Sequence, residues 1–124
     1  AIPRSVETDY SAEQAARATA ELVSGSAPPT AIVYDNDVMA LAGLRAAQER
    51  GVRVPEEISI ASFDDSIAMS LVRPSITALT RDTFALGELA ARTLMRRIDA
   101  DDTVPSLPAT PPVLSLREST APPA

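Results

Sequence analysis

Apolar and polar residues repeat along this chain with two periods, one typical of amphipathic helices and one of short buried strands. After Ser11, small and apolar residues recur every three or four positions as far as Gly25. This spacing predicts a helix, with Ser11 as its N-cap, Gln14 completing a capping box and Gly25 ending it. After two prolines, residues 30–34 form a short apolar run rich in strand formers, which predicts a strand buried on both faces.

The next stretch repeats the order of helix and strand. Asn36 or Asp37 can cap a helix over residues 38–50, and Gly51 stands where a helix commonly ends in the left-handed conformation. Residues 58–63 form a second apolar strand. Strand, helix and strand at this spacing predict a βαβ unit, in which a right-handed crossover joins two parallel strands.

The pattern continues with less regularity to the end of the chain. The remaining predicted elements are a loop or short helix over 64–75, an extended segment over 76–80, a long amphipathic helix capped by Asp82 and reaching about Ile98, and a last strand over 113–116. Four prolines and three aspartates over 99–112 indicate a surface loop. The residues from Ser119 onward are expected to form a frayed tail.

Acidic and amide side chains follow both strands of the predicted βαβ unit. Asp35, Asn36 and Asp37 come directly after the first strand, and Asp64 and Asp65 come after the second. Parallel strands present their carboxyl ends on one edge of the sheet, where open α/β folds bind ligands, so these side chains are expected to share one rim. Planar carboxylate and carboxamide groups form paired hydrogen bonds with the neighbouring hydroxyls of a sugar or nucleoside.

Residue types alone leave three uses of this rim open. The first is the binding of a hydroxyl-rich ligand, with Tyr10 and Phe63 supplying flat apolar faces for a ring. In the second, the same residues only cap helices and turns. In the third, the carboxylates form an acid–base pair or hold Mg²⁺.

Composition removes several classes of function. The chain contains no Cys and no His, and all 11 basic residues are Arg. Zinc–thiolate sites, thiol or Ser-His-Asp catalysis and lysine Schiff bases are therefore excluded within these residues. The net charge of −6 disfavours binding of a phosphate backbone by this segment itself. No membrane helix or signal peptide is evident, and a start at Ala1 without Met leads us to expect a fragment.

Five short motifs follow one another along the sequence. They are PTAIVYDNDVMALAGL over 29–44, GVRVPEEISIASFDD over 51–65, PSITALTRD over 74–82, the Leu86-Gly87 pair followed by Ala90, and LRESTAPP over 116–123. Each stretch is a weak motif by itself. In this order, from about Tyr10 to Pro123, they resemble the C-terminal lobe of transcriptional regulators of the lactose/galactose-repressor (LacI/GalR) type.

The resemblance implies a fold and a binding site. The fold is α/β, a three-layer open parallel-sheet lobe of the periplasmic-binding-protein-like type I fold, present as a fragment. Asn36 and Asp64 are implied to bond the hydroxyls of an effector, which is a sugar or a related small polyol or nucleoside. Tyr10 is implied to line the cleft, with Asp37 and Phe63 as neighbours. No metal or other cofactor is implied.

The resemblance also implies a domain organisation and partners. Residues 1–75 and 113–118 would form the C-terminal lobe, and 80–110 would pack on an N-terminal lobe that the chain lacks. The implied protein is a cytoplasmic homodimer that binds DNA only through a helix-turn-helix domain absent from this chain, and it does not contact a membrane. The residues implied to face the second subunit are Leu41, Leu44, Met69, Leu71 and Val72.

The implied function is effector sensing without catalysis. A bound effector would shift the population of lobe arrangements and thereby change operator binding. One rival is an exported solute-binding protein of a sugar uptake system, and another is an enzyme, such as a metal-dependent hydrolase, that uses the acidic rim. Arg81 stands in place of a common Gln, Ser62 in place of Gly, and Phe84 is displaced by one position. These departures bear on the effector more than on the fold.

Overall fold

The computed structural model describes residues 3–99 and 108–122, and within them a four-stranded sheet carries the helices. The elements are α1 (Ala12–Ser24), β1 (Ala31–Tyr34), α2 (Asp37–Glu49), β2 (Ser59–Ser62), α3 (Ile67–Leu71), β3 (Thr77–Thr80), α4 (Thr83–Ile98) and β4 (Val113–Ser115). The predicted order of helices and strands is confirmed. Most of the predicted loop over 99–112 lies outside the described residues.

The sheet is parallel except at its last strand. Its order is β1-β2-β3-β4, and β1 pairs with β2 in parallel from Ala31↔Ser59 to Tyr34↔Ser62. β3 is parallel to β2, whereas β4 returns antiparallel, with Leu79 opposite Leu114. The predicted βαβ unit and the α/β fold class with a mainly parallel sheet are confirmed.

Local chemistry explains where α2 begins and ends. The Asn36 side chain accepts a hydrogen bond from the Met39 backbone N–H at 2.8 Å, which satisfies a free donor of the first turn. At the other end Gly51 has a φ of 73°, a region that costs glycine little. The N–H groups of Gly51 and Val52 return to the carbonyls of Gln48 and Ala47, which is the Schellman motif.

The start of α1 differs in detail from the predicted capping box. Ser11 Oγ accepts from the Gln14 N–H at 3.2 Å, as predicted. The Gln14 side chain, however, accepts from the N–H of Asp9 at 3.1 Å, and the N–H of Ser11 goes to the Asp9 carboxylate at 2.9 Å. In a standard capping box the N–H of Ser11 would donate to the Gln14 side chain. Here the Asp9 carboxylate accepts that N–H, so the capping interactions begin two residues earlier, at Asp9.

The core lies between α2 and the sheet. α1 packs on α2, which lies across β1 and β2 and touches α3. The buried cluster joins residues of these helices and strands: Ala15, Tyr34, Met39, Ala40, Leu44, Ile60, Met69, Ile76 and Ala78. Burying one large aliphatic side chain contributes about 1.5–3 kcal/mol, so this cluster supplies the main stabilisation of the lobe.

Tyr34 is the point where α1, β1 and α2 meet. Its hydroxyl lies 2.7 Å from Thr19 Oγ1, and its ring occupies the space beside Gly43, where an added Cβ would sit 2.0 Å from the hydroxyl oxygen. Burial raises the pKa of Tyr34 because the phenolate would lose its hydration. Gly43 is therefore required by the close approach of the ring.

Two predictions about burial are wrong. The strand over 31–34 is not buried on both faces: Tyr34 is buried, but Ala31 and Val33 are exposed, because no described strand or helix covers that side of β1. The chain is not frayed at Ser119, which is fully buried. Its hydroxyl accepts from the Thr77 N–H at 2.9 Å and donates to the Ile60 carbonyl, so it ties the end of the chain to β2 and β3.

Helix α4 contributes nothing to this core. Asp82 caps it by accepting from the Ala85 N–H at 2.9 Å, yet none of its residues is buried, and Phe84 is 83% exposed. Leu94, Met95 and Ile98 are exposed as well. No helix within the described residues is long and apolar enough to cross a membrane.

Candidate functional site

The carboxyl ends of β1 and β2 form the predicted rim. Tyr34 and Ser62 are partners in register, and the Phe63 N–H donates to the Tyr34 carbonyl at 2.9 Å just beyond them. Asn36 and Asp64 thus each stand two residues beyond a paired position on adjacent strands. The topology therefore brings these two predicted residues to the same edge of the sheet.

Asn36 uses one half of its side chain for structure and leaves the other half available. Its Oδ1 caps α2 through the Met39 N–H. Its Nδ2 has no partner among the described residues. The capping bond fixes the plane of the carboxamide. Helix capping and ligand binding were alternatives in the sequence, but Asn36 can do both because they use different atoms. The capping bond orients a free N–H₂ donor at the rim.

Asp64, which follows the adjacent strand at the same edge of the sheet, offers free acceptors. Its backbone N–H is held by Ser62 Oγ at 3.2 Å, while its exposed carboxylate has no partner among the described residues. Phe63, next to it, is 48% exposed. Asp37 lies in the first turn of α2, where one carboxylate oxygen accepts from the Val38 N–H at 2.8 Å. The rim thus combines donors, acceptors and an apolar face.

Tyr10 lies just before α1 in an unusual backbone conformation. Its φ of 64° is the only positive value at a non-glycine residue in the described chain. For a bulky residue this conformation costs of order 1–3 kcal/mol, and such strain is concentrated at functional sites. The ring is 61% exposed, which leaves its face free for a ligand.

Asp65 and Arg117 form a contact that sequence reasoning missed. The two guanidinium nitrogens of Arg117 donate to the two carboxylate oxygens of Asp65 at 2.9 and 2.7 Å, and Thr80 Oγ1 donates to the same carboxylate at 2.7 Å. Arg117 lowers the pKa of Asp65, and Asp65 raises the pKa of Arg117. The partners are 52 residues apart, and no local spacing signals a pair at that separation.

A groove of about 720 Å³ lies beside the rim and not on it. One wall is the segment 3–8, and the other is formed by α1 and the free side of β1. Asp35 is the one residue of the predicted rim that lines it. The groove follows β1, which pairs only with β2 among the described strands.

The residues predicted to face a second subunit divide into two groups. Leu44 and Met69 belong to the buried core of this chain, so their side chains offer no surface to a partner. Leu71 is 71% exposed, and Leu41 and Val72 are partly buried against the core. Only these three keep accessible area for a subunit contact.

A metal centre has no support from the described residues. No group of three or more acidic side chains there could hold an ion. Asp65 is already paired with Arg117, and Asp37 is engaged by the backbone of α2.

Comparison with known proteins agrees with this architecture. The family model described as periplasmic binding protein-like domain matches residues 2–120. Catabolite control protein A of Priestia megaterium is 31% identical over 115 residues, which are 93% of this chain and 35% of that protein. A solved LacI family transcriptional regulator from Bifidobacterium animalis subsp. lactis superposes with a TM-score of 0.92 at 48% identity and covers 98% of this chain. The chain belongs to the LacI family of transcriptional regulators.

Two further solved LacI-type structures bear on binding and assembly. A regulator from Enterococcus faecium with bound ribose is 30% identical, with a TM-score of 0.79 over 93% of this chain. A dimeric Lac repressor with an 11-residue C-terminal deletion is also 30% identical, with a TM-score of 0.84 over 95% of this chain. The chain spans between 35% and 44% of the lengths of these relatives. The relatives from Bifidobacterium animalis and Enterococcus faecium are LacI family transcriptional regulators, and this chain corresponds to one part of each.

Proposed function

We propose that this LacI family lobe binds a small hydroxyl-rich effector, a sugar in the first instance, at the rim that carries Asn36 and Asp64, with Tyr10 lining the same cleft. The observation that carries the proposal is that two side chains at this edge of the sheet have free hydrogen-bonding groups. Asn36 has a fixed, unpaired amide donor, and Asp64 has an unpaired carboxylate, on adjacent strand ends. Vicinal hydroxyls both donate and accept, so they match this pair. Phe63 and Asp37 complete the surroundings.

The effector would act on DNA through allostery. The net charge of −6 disfavours a direct DNA contact by this lobe, whereas relatives of greater length are transcriptional regulators. We infer that a helix-turn-helix domain elsewhere in the cytoplasmic protein binds the operator, and that effector binding changes its affinity. The relatives do not favour the rival of an exported solute-binding protein.

The proposal also gives helix α4 a role, as a surface that contacts a second lobe. Its exposed apolar side chains, among them Phe84, Leu94 and Ile98, fit a surface that packs on a second lobe. Under the proposal, residues 80–110 make that contact and residues 1–75 and 113–118 form the effector lobe. A second subunit would contact the exposed Leu71, with Leu41 and Val72 at its border.

The test is the binding of a panel of neutral sugars to the complete protein, with cellobiose, lactose and ribose as its first members. Thermal shift identifies the sugar that binds, and calorimetry gives its dissociation constant. Asn36→Asp keeps an N-cap acceptor and removes the amide donor, so α2 stays capped. Asp64→Asn keeps the shape and removes the charge. Each variant is expected to weaken binding about tenfold or more, with a small change in melting temperature.

Glu49→Gln provides the control for these variants. Glu49 lies at the opposite end of α2, exposed and paired with Arg45, so its substitution should leave sugar affinity unchanged. If both rim variants bind the sugar as tightly as the wild type does, the proposed site is wrong.

A further inference from the structure

The contacts of Asp65 join the effector rim to the two strands that flank α4. β3 leads directly into α4, and β4 pairs antiparallel with β3 after it. Thr80 on β3 and Ser115 on β4 share a hydrogen bond of 2.6 Å, and Thr80 also donates to Asp65. The loop that carries Asp64 is thus attached to both strands through one carboxylate.

Arg117 completes this attachment from the end of β4. Besides its paired bonds to Asp65, it donates to the Ile76 carbonyl at 2.6 Å, and its backbone N–H donates to Thr77 Oγ1 at 3.0 Å. The side chains of Arg117 and Asp65 are only 20% and 11% exposed. A paired guanidinium–carboxylate contact fixes orientation as well as distance, so Asp65 has little freedom to move apart from β3 and β4.

The side chains of Asp64, Asp65 and Ser66 differ in how many hydrogen bonds they form. Asp65 has three hydrogen bonds on its carboxylate, and Asp64 has none. The buried Ser66 hydroxyl also lacks a partner among the described residues. An unsatisfied buried hydroxyl costs free energy, so a loop arrangement that gives Ser66 a partner would gain stability. An effector bound at Asp64 would therefore act directly beside Asp65, which is fixed to Thr80 and Arg117.

We propose that Asp65 and Arg117 are positioning residues that couple effector binding at Asp64 to movement of the β3–β4 pair and of α4. Neither residue contacts the effector, because their donors and acceptors already serve each other and β3. The inference rests on the proposed function, since it needs an effector at the rim and a response beyond α4. Coupling requires an element whose arrangement both sites bias, and this proposal gives that role to the Asp65–Thr80–Ser115–Arg117 network.

The test uses the complete protein, the sugar from the panel that gives the largest thermal shift, and a DNA duplex selected by the protein from a random pool. The measured quantity is the ratio of DNA dissociation constants with and without saturating sugar. Arg117→Lys keeps the charge but loses the paired donors. It is expected to change this ratio by about two- to thirtyfold, while the sugar still binds.

A matched control separates coupling from a loss of stability. Arg53→Lys alters the exposed Arg53–Glu57 pair, whose Nε and Oε2 atoms lie 3.0 Å apart and which shares no residue with this network, so it should leave the ratio unchanged. If Arg117→Lys lowers the melting temperature but leaves the ratio within twofold of the wild type, the residue is only structural and the inference fails. Should Arg117→Lys not fold, Thr80→Val removes the bonds of Thr80 to Asp65 and Ser115 and is judged by the same two outcomes.

The double variant Asp65→Asn/Arg117→Lys gives a second criterion. Because both substitutions break one contact, their effects on the ratio should be clearly less than multiplicative; independent effects contradict the inference. A wild-type ratio of one for every sugar that binds would overturn the proposed function and this inference together. A coupled wild type with an unchanged Arg117→Lys variant overturns the inference alone.

Discussion

Helices α2 and α4 have similar sequence signals and opposite environments. Each begins at a side chain that caps its first turn, Asn36 or Asp82, and each carries apolar residues at helical spacing. α2 buries Leu44 and much of one face against the sheet, whereas α4 buries none of its residues. The comparison shows that periodicity and caps determine that a helix forms, while the surface it covers depends on what the surrounding chain supplies.

The largest contrast is expected from the same substitution in both helices. Leu44→Ala removes a buried side chain from the core and should lower the free energy of unfolding by about 2–5 kcal/mol. Leu94→Ala in α4 should change it by less than about 0.5 kcal/mol, because Leu94 is exposed. Urea unfolding of this chain measures both values. Equal losses for the two variants would show that α4 is packed in solution.

One glycine in each helix allows the same comparison with smaller expected changes in the free energy of unfolding. Gly43→Ala in α2 would place a Cβ against the buried Tyr34 ring and should destabilise the chain by about 1–3 kcal/mol. Gly87→Ala in α4 meets no atom within 4 Å and should stabilise that helix by up to about 1 kcal/mol. Circular dichroism during urea unfolding follows both. A stabilising Gly43→Ala would refute the close approach of the ring.

A pH experiment tests the hydrogen bond between Tyr34, whose ring packs beside Gly43 of α2, and Thr19 of α1, and it gives the smallest effect. Tyr34→Phe removes the hydrogen bond to Thr19, and we expect a loss of about 1 kcal/mol at neutral pH. The folded chain raises the pKa of Tyr34, so the tyrosine contributes its full stability below pH about 10, the unfolded value, and loses it as pH rises further. The difference between variant and wild type should therefore shrink above pH 10. A difference that grows there would contradict the sign.

The sequence predicts most of what local chemistry controls. The caps at Ser11, Asn36 and Asp82 and the left-handed Gly51 each depend on residues within one turn, and all were predicted, with Asp37 left open as an alternative to Asn36. The convergence of Asn36 and Asp64 on one rim also follows from the sequence, because parallel strands have only one carboxyl edge.

Contacts between distant parts of the chain could not be predicted in this way. The Asp65–Arg117 pair and the anchoring of Ser119 depend on where β4 and the chain end return to the sheet. Arg117 belongs to a stretch that marks the family, but nothing in its neighbours names Asp65 as its partner. The exposed side of β1 could not be predicted for the same reason. An apolar run predicts a buried strand, but whether that strand is covered depends on residues that are distant in the sequence.

The central claim is that a ligand on this rim controls DNA binding, and one titration tests it most directly. The complete protein is titrated into a fluorescent duplex selected from a random pool, with and without a sugar that binds the wild type. The account predicts that the sugar changes DNA affinity by about five- to 150-fold and that Asp64→Asn raises the sugar concentration needed for this change about tenfold or more. Equal DNA affinity with and without every sugar that binds would contradict it.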